Sequence, residues 1–264
     1  MKFTGKTVVI TGASSGIGKQ AAIDFAKNGA GPIFLVARSE MKLTELARNI
    51  SERHPSCQAI SRVCDVSDKA QVVQMAKEVL ASGSIDILVN SAGFGIFKTV
   101  RDHSIEEIES VTATNYLGMV YCTKAFLDSM LARGSGHIVN VASVAASFGV
   151  AGLAPYCATK FAMLGFSESL YHELHGTGVG ITVVSPIGVK TNFFAHESFE
   201  GVIPSYVGFA LEPKVVSRAV LAAASSPRLE IIVPFYMRGA VWLKHTFPYL
   251  VQPITGAISR RDLR

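Results

Sequence analysis

Short runs of aliphatic and β-branched residues recur along the chain, each followed by a longer stretch whose apolar positions return every three or four residues. The runs at 7–10, 33–37, 59–63, 85–89, 137–141, 181–184 and 230–233 predict seven strands. The stretches 17–27, 41–53, 69–80, 104–130 and 156–175 predict helices between them. Such alternation is that of a doubly wound, mostly parallel seven-stranded α/β sheet flanked by helices. Val8-Val9-Ile10, Ile33-Phe34-Leu35-Val36 and Ile87-Leu88-Val89 are continuously apolar, as strands buried on both faces must be. Residues 192–213 break the alternation and read as a lid or substrate-binding segment, and 234–264 as a variable tail.

Composition narrows this without redirecting it. The 264 residues are 49% hydrophobic and 17% charged, a balance that folds as one compact domain spanning residues 1–264. The net charge of +5 is scattered rather than gathered into a run, so nucleic acid is not expected as a partner. Cys57, Cys64, Cys122 and Cys157 form no C-x-x-C pair and have no histidine at ligand spacing, so no metal site is expected. The opening residues carry neither a cleavage signature nor a long apolar stretch, which makes a cytoplasmic location the expectation.

Directly after the first strand stands Thr11-Gly12-Ala13-Ser14-Ser15-Gly16-Ile17-Gly18, a strand-to-helix turn whose helix N-terminus offers partial positive charge to an anion. Gly12 permits the tight turn, Gly16 lets a pyrophosphate approach the backbone, and Gly18 lets the helix pack on the sheet. The spacing is G-x-x-x-G-x-G rather than G-x-G-x-x-G, and in this strand-to-helix context it predicts a Rossmann-type cradle for a dinucleotide, the alternative being an ordinary tight turn. At the end of the second strand, where a carboxylate would bind the ribose of NAD(H), stands Arg38. A guanidinium there suits a 2'-phosphate, which makes NADP(H) the expected cofactor over NAD(H), although Glu40 lies close enough in sequence to oppose it.

Tyr156 and Lys160 are spaced i, i+4 on a predicted helix and so share one face. For a phenol to exchange a proton near neutrality its pKa must fall by about three pH units, about 4 kcal/mol. A cation about 4 Å away at an effective dielectric of about 20 supplies a similar energy. The lysine together with a positively charged nicotinamide therefore predicts a tyrosine workable as general acid or base, the alternative for a bare Y-x-x-x-K being two residues on an exposed helical face.

With these residues in view the chain resembles the short-chain dehydrogenase/reductase family, in its single-domain branch. The resemblance rests on Thr11–Gly18 as T-G-x-x-x-G-x-G, Asn90-Ser91-Ala92-Gly93 as N-N-A-G, Asn115, and the set Ser143, Tyr156 and Lys160. It implies that Tyr156 passes a proton to or from the substrate oxygen, that Ser143 holds that oxygen, and that Lys160 binds the nicotinamide ribose and depresses the tyrosine. Asn115 is implied to hold a helix bend and a water. The cofactor contacts implied are Gly12, Ser14, Ser15, Gly16, Ile17 and Gly18, then Arg38, Asp65 and Val66 at the adenosine, and Asn90, Ala92 and Gly93 along the wall. By sequence alone Asp65 could equally cap a helix. Pro186, Val189 and Thr191 are implied nicotinamide contacts, with Ile187 where the family usually has Gly.

The implied activity interconverts a carbonyl and a secondary alcohol by hydride transfer. Phe193, Phe194, Phe199, Val202, Ile203, Tyr206, Val207 and Phe209 point to an apolar, moderately sized substrate, with Phe94, Phe97 and Phe148 joining them, unless these rings pack on the protein itself. A non-catalytic NADP-binding sensor or scaffold on the same fold is the alternative. The epimerase and dehydratase branch would bring a different glycine spacing and a larger C-terminal sugar domain. A homodimer or homotetramer is implied through 104–130 and 156–175. Between Pro234 and Ile254 aromatic and basic residues mix. Packing against the core or a partner subunit is expected there, with Pro248 and Pro253 limiting any helix, and peripheral membrane contact is the alternative.

Overall fold

The computed structural model describes residues 2–200 and 208–263. Among these residues the strands β1 (Val8–Thr11), β2 (Ile33–Ala37), β3 (Ala59–Val63), β4 (Ile87–Asn90), β5 (Gly136–Val141), β6 (Val179–Pro186) and β7 (Glu230–Val233) form one seven-stranded sheet. Their spatial order is β3-β2-β1-β4-β5-β6-β7, and every pairing is parallel. The sheet is thus wholly rather than mostly parallel.

Helices α1 (Gly16–Lys27) and α2 (Glu40–Arg53) pack on one face together with α7 (Pro213–Ser225). The other face carries α3 (Lys69–Ala81), α5 (Gly118–Arg133) and α6 (Ala154–Glu173). Successive strand residues serve opposite cores: Val8 and Ile10 pack with Phe25 and Leu43, whereas Val9 packs with Phe126 and Met130. This period of two on a continuously apolar strand buries both sheet faces.

The stretch predicted as a single helix over 104–130 is interrupted. Ser104 is an N-cap, its hydroxyl accepting from the Glu107 backbone N–H in a capping box that starts α4 (Ile105–Thr112). A π-helical turn, Ala113–Leu117, then separates α4 from α5. Three helices lie outside the five predicted stretches: α7, α8 (Met237–Thr246) and α9 (Pro248–Arg261). Pro213 and Pro248 are first residues of their helices, where the missing N–H has no intrahelical partner to lose. Pro253 lies within α9, so the prolines place this helix rather than prevent it.

Because β1 lies between β2 and β4, the chain leaves β1 and β4 toward opposite sides of the sheet. The crevice opens at the carboxyl ends of those two strands, which is where the glycine turn after Thr11 and the segment Asn90–Gly93 meet.

Candidate active site

The two loops at the crevice are tied together. The Thr11 hydroxyl accepts the backbone N–H groups of Ser91 at 3.1 Å and Ala92 at 3.2 Å, and donates to the Val89 carbonyl at 3.5 Å. Gly12 sits at φ +67°, and a Cβ on it would stand 2.8 Å from the Ala92 Cα. A Cβ on Gly18 would stand 2.5 Å from the Gly12 carbonyl oxygen, which backbone cannot yield. Ser15, the N-cap of α1, makes no side-chain capping bond, so the first amides of the helix face a cleft of about 420 Å³. Ser14, Ser15, Gly16 and Ile17 line it, as do Tyr156 and Lys160. An extended anion with a long organic body fits such a cleft, and the glycines are where a side chain would fill it.

The cleft is also lined by Arg38, Asp65 and Val66, together with Ser39 and Lys42. The Arg38 guanidinium lies 3.9 Å from the Asp65 carboxylate, so its acidic neighbour is Asp65. Asp65 also accepts from the Ser67 backbone N–H and hydroxyl. The cap of α3 is Asp68, whose carboxylate accepts from the Ala70 and Gln71 N–H groups; Asp65 therefore belongs to the cleft wall. Lys42 was missed by sequence reasoning, although its position four residues after Arg38 at the start of a helix was a usable signal.

Tyr156 lies in the first turn of α6 and Lys160 one turn on, both within reach of the cleft. The buried Lys160 ammonium donates to the Val141 carbonyl at 3.1 Å and lies 3.4 Å from the Met163 sulfur. It stands 5.5 Å from the Tyr156 ring centre. Burial pulls the Lys160 pKa down to about 8. Burial pushes the Tyr156 phenol well above its ordinary value, the Ser143 hydroxyl pulls partly against that, and Cys157 adds a smaller push upward. In the protein alone, burial thus outweighs the downward pull on the phenol. The physical reason is that desolvation disfavours both charged forms while the ammonium is turned to a backbone carbonyl. Tyr156 is held as the proton-bearing phenol.

Ser143 follows β5, accepts from the Ala145 N–H at 3.1 Å and donates to the Pro186 carbonyl at 3.3 Å. Asn115 lies in the π-helical turn, fully buried. Its amide bonds both the N–H and the carbonyl of Phe94, at 3.0 and 2.9 Å, and donates to the Thr159 hydroxyl at 3.2 Å. It fixes the loop after β4 against α6. A Cβ on Gly93 would lie 3.1 Å from the Asn115 carbonyl oxygen and 3.7 Å from the Lys160 nitrogen, so Gly93 is the gap in which the two side chains fit. Asn90 turns away from the cleft and donates to Asn140 and Thr123 at 2.9 and 3.2 Å.

After β6 the Ile187 N–H is taken by the Val233 carbonyl at 2.9 Å, and the backbone there has no positive φ. The departure from Gly is thus unstrained. Val189 bridges to Leu211, and the Thr191 methyl faces Gly16. Ala92, Gly93 and Thr191 line the cleft, Pro186 and Val189 line a neighbouring cavity with Ser143, and Gly18, Asn90 and Asn115 support the walls from behind.

That neighbouring cavity, of about 680 Å³, meets the cleft at Tyr156 and Phe193. Its inner wall holds Ser143, Phe148 and Phe194, and its outer wall comes from α8 and α9 through Met237, Ala240 and Val251. The aromatic residues divide between the two expected roles. Phe97 and Phe199 are buried against each other, and Phe94 lines the cleft, whereas Phe193, Phe194 and Phe209 line the cavity. Val202, Ile203, Tyr206 and Val207 lie outside the described residues. No group of three His, Cys, Asp or Glu residues able to hold a metal occurs among the described residues.

A family model described as short chain dehydrogenase matches residues 6–200. The ketoacyl reductase HetN of Nostoc sp. is 36% identical over 232 residues, 88% of this chain and 79% of that protein. Epidermal retinol dehydrogenase 2 of Mus musculus is 30% identical over 248 residues, 92% of this chain and 79% of that protein. Among solved structures, a short chain dehydrogenase/reductase from Burkholderia phymatum in complex with NAD superposes with a TM-score of 0.84 at 27% identity, covering 95% of this chain and 96% of that one.

The depressed Lys160 pKa has a consequence for stability. Between about 8 and the ordinary lysine value of 10.5 the unfolded chain keeps a proton that the folded chain has released, so stability rises with pH there. Relative to Lys160→Met, the wild-type denaturation midpoint is expected to gain as pH climbs through that window. A constant difference between the two proteins across it would show that Lys160 is not perturbed.

Proposed function

This chain belongs to the short chain dehydrogenase family, and on that premise we propose an NADP(H)-dependent oxidoreductase interconverting a carbonyl and a secondary alcohol on an apolar substrate. The observation that carries the reading is the position of Tyr156, whose side chain lines both the cleft and the apolar cavity. A group that must touch cofactor and substrate together has to stand at such a junction.

Bound nicotinamide would supply the hydride for reduction and accept it for oxidation. Gly12, Ser14, Ser15, Gly16 and Ile17 would hold its phosphates, and Lys160 its nicotinamide ribose. Ser143 would bond the substrate oxygen, and Tyr156 would deliver the proton to it. The same phenol would give a proton to the carbonyl oxygen in reduction and take one from the alcohol in oxidation. Asn115, bonded to the Phe94 backbone and Thr159, positions the loop and helix that carry these groups, and a water beside it would link Lys160 to solvent.

NADP(H) is favoured over NAD(H) because Arg38 and Lys42 place two cations at the adenosine end, against the one carboxylate of Asp65. The apolar cavity, together with the likeness to a retinol dehydrogenase, supports a hydrophobic substrate of moderate size. A cytoplasmic location and a homodimer or homotetramer through α4, α5 and α6 belong to the same reading. Light scattering is expected to return a dimer or tetramer mass, and a monomer at all concentrations would exclude that assembly.

Tyr156→Phe is expected to lose at least about 100-fold in kcat with NADPH and a panel of apolar ketones while keeping its Tm. Full turnover in that variant would overturn the assigned proton donor, and no turnover by the wild type would favour a nucleotide-binding module. For Arg38→Ala, KM for NADPH is expected to rise about 10- to 100-fold, as for a lost charge-assisted bond, with KM for NADH nearly unchanged. Equal effects on the two cofactors would remove the 2'-phosphate role.

A further inference from the structure

The helical hairpin α8–α9 carries an apolar surface that no part of the described chain covers. Phe235 is 80% exposed, Trp242 64% and Tyr249 94%. Leu250 and Ile254 stand exposed beside them. Surface aromatics occur singly on many proteins, but a contiguous set on two neighbouring helices marks an interface.

The charges around that surface choose the partner. From Pro234 to Arg264 the sequence contains Arg238, Lys244, Arg260, Arg261 and Arg264 against one acid, Asp262. Lys244 lies in the last turn of α8, and Arg260 and Arg261 in that of α9. A two-fold contact with a second copy would set these cations against themselves with one carboxylate per copy to answer them. Apolar rings flanked by an excess of cations fit the interfacial zone of an anionic bilayer, where aromatic residues sit at headgroup depth and basic side chains meet lipid phosphates. Among the described residues no helix is long and apolar enough to cross a membrane, so attachment would be by lying on the surface.

The hairpin is also the outer wall of the apolar cavity. Leu243 and Ile258 are partly exposed and line it as well, and the 77% exposed Phe209 stands at the same wall. We propose that α8 and α9 seat the protein on an anionic lipid surface, with the mouth of the apolar cavity turned toward it. The second half of this statement rests on the cavity being the substrate site. An apolar substrate then passes from lipid to Tyr156 without crossing water.

Trp242 is the only tryptophan of the chain, so intrinsic fluorescence reports this hairpin alone. The whole protein is mixed with vesicles of phosphatidylcholine, with or without an equal part of phosphatidylglycerol, and followed by emission wavelength and co-sedimentation. A blue shift and sedimentation with the anionic vesicles, both weakened by salt, are expected. Arg260→Glu with Arg261→Glu is expected to weaken binding by about 25-fold or more, since each cation near such a surface contributes about five-fold. Tyr249→Ser with Leu250→Ser is expected to weaken it at unchanged salt dependence. Equal binding to neutral vesicles, no blue shift with anionic ones, or a shift that follows protein concentration without lipid would each overturn the proposal, the last by showing a second copy on this face. Tyr156→Phe is expected to bind vesicles as the wild type does. Vesicle binding by an enzyme inactive on all ketones would sink the catalytic reading alone, and ketone turnover without vesicle binding would sink the docking alone.

Discussion

The hydroxyl of Thr11 bonds two amides of the loop after β4, and the rest of the site depends on that tie. It joins the ends of β1 and β4, the two strands from which the chain departs toward opposite sides of the sheet. Close approach there is possible because Gly12 has no Cβ to strike Ala92, and Gly18 none to strike Gly12. With the loops so joined, α1 points its free amides into the cleft while Asn115 and Lys160 press against Gly93 from the far side. One side chain thus fixes how the glycine turn sits against the loop that carries Gly93.

Desolvation is the opposing force throughout the site. It raises Tyr156, lowers Lys160 and leaves the lysine to satisfy itself on the Val141 carbonyl and the Met163 sulfur. Holding an ionisable pair out of water works against folding, and the surrounding apolar sheet has to make up that cost. Tyr156, neutral near pH 7 at its ordinary value, is made harder still to ionise. A lysine with its pKa near 8 can change charge at modest cost beside it.

How legible all this was in the sequence varies with the range over which the signal acts. Four strands, β2, β3, β5 and β7, end where the sequence predicts; for β2, buried on both faces, the reason is that such a strand must be apolar throughout. The π-helical turn was invisible: periodicity over 104–130 continues across it, since one added residue per turn barely moves the apolar stripe. The reacting residues were legible as spacings, yet the state of Tyr156 was not, because a pKa depends on burial and on where an ammonium points. Asp65 and Asp68 look alike in sequence and only hydrogen bonds separate them. The hairpin α8–α9 was obscured by its prolines, and its surface pattern mixes residues that face the cavity with residues that face outward.

The hairpin has a different standing from the rest of the chain. None of the three packed hydrophobic clusters takes a residue from it, and it lies beyond the 6–200 stretch that the family model matches. Substitutions there leave the two sheet cores, the cradle and the proton donor as they are. What they alter is the outer wall of the apolar cavity and the exposed face of the hairpin. Such a division leaves about thirty residues free to vary that wall and that face, while the residues upstream stay under the unchanged demands of a buried parallel sheet.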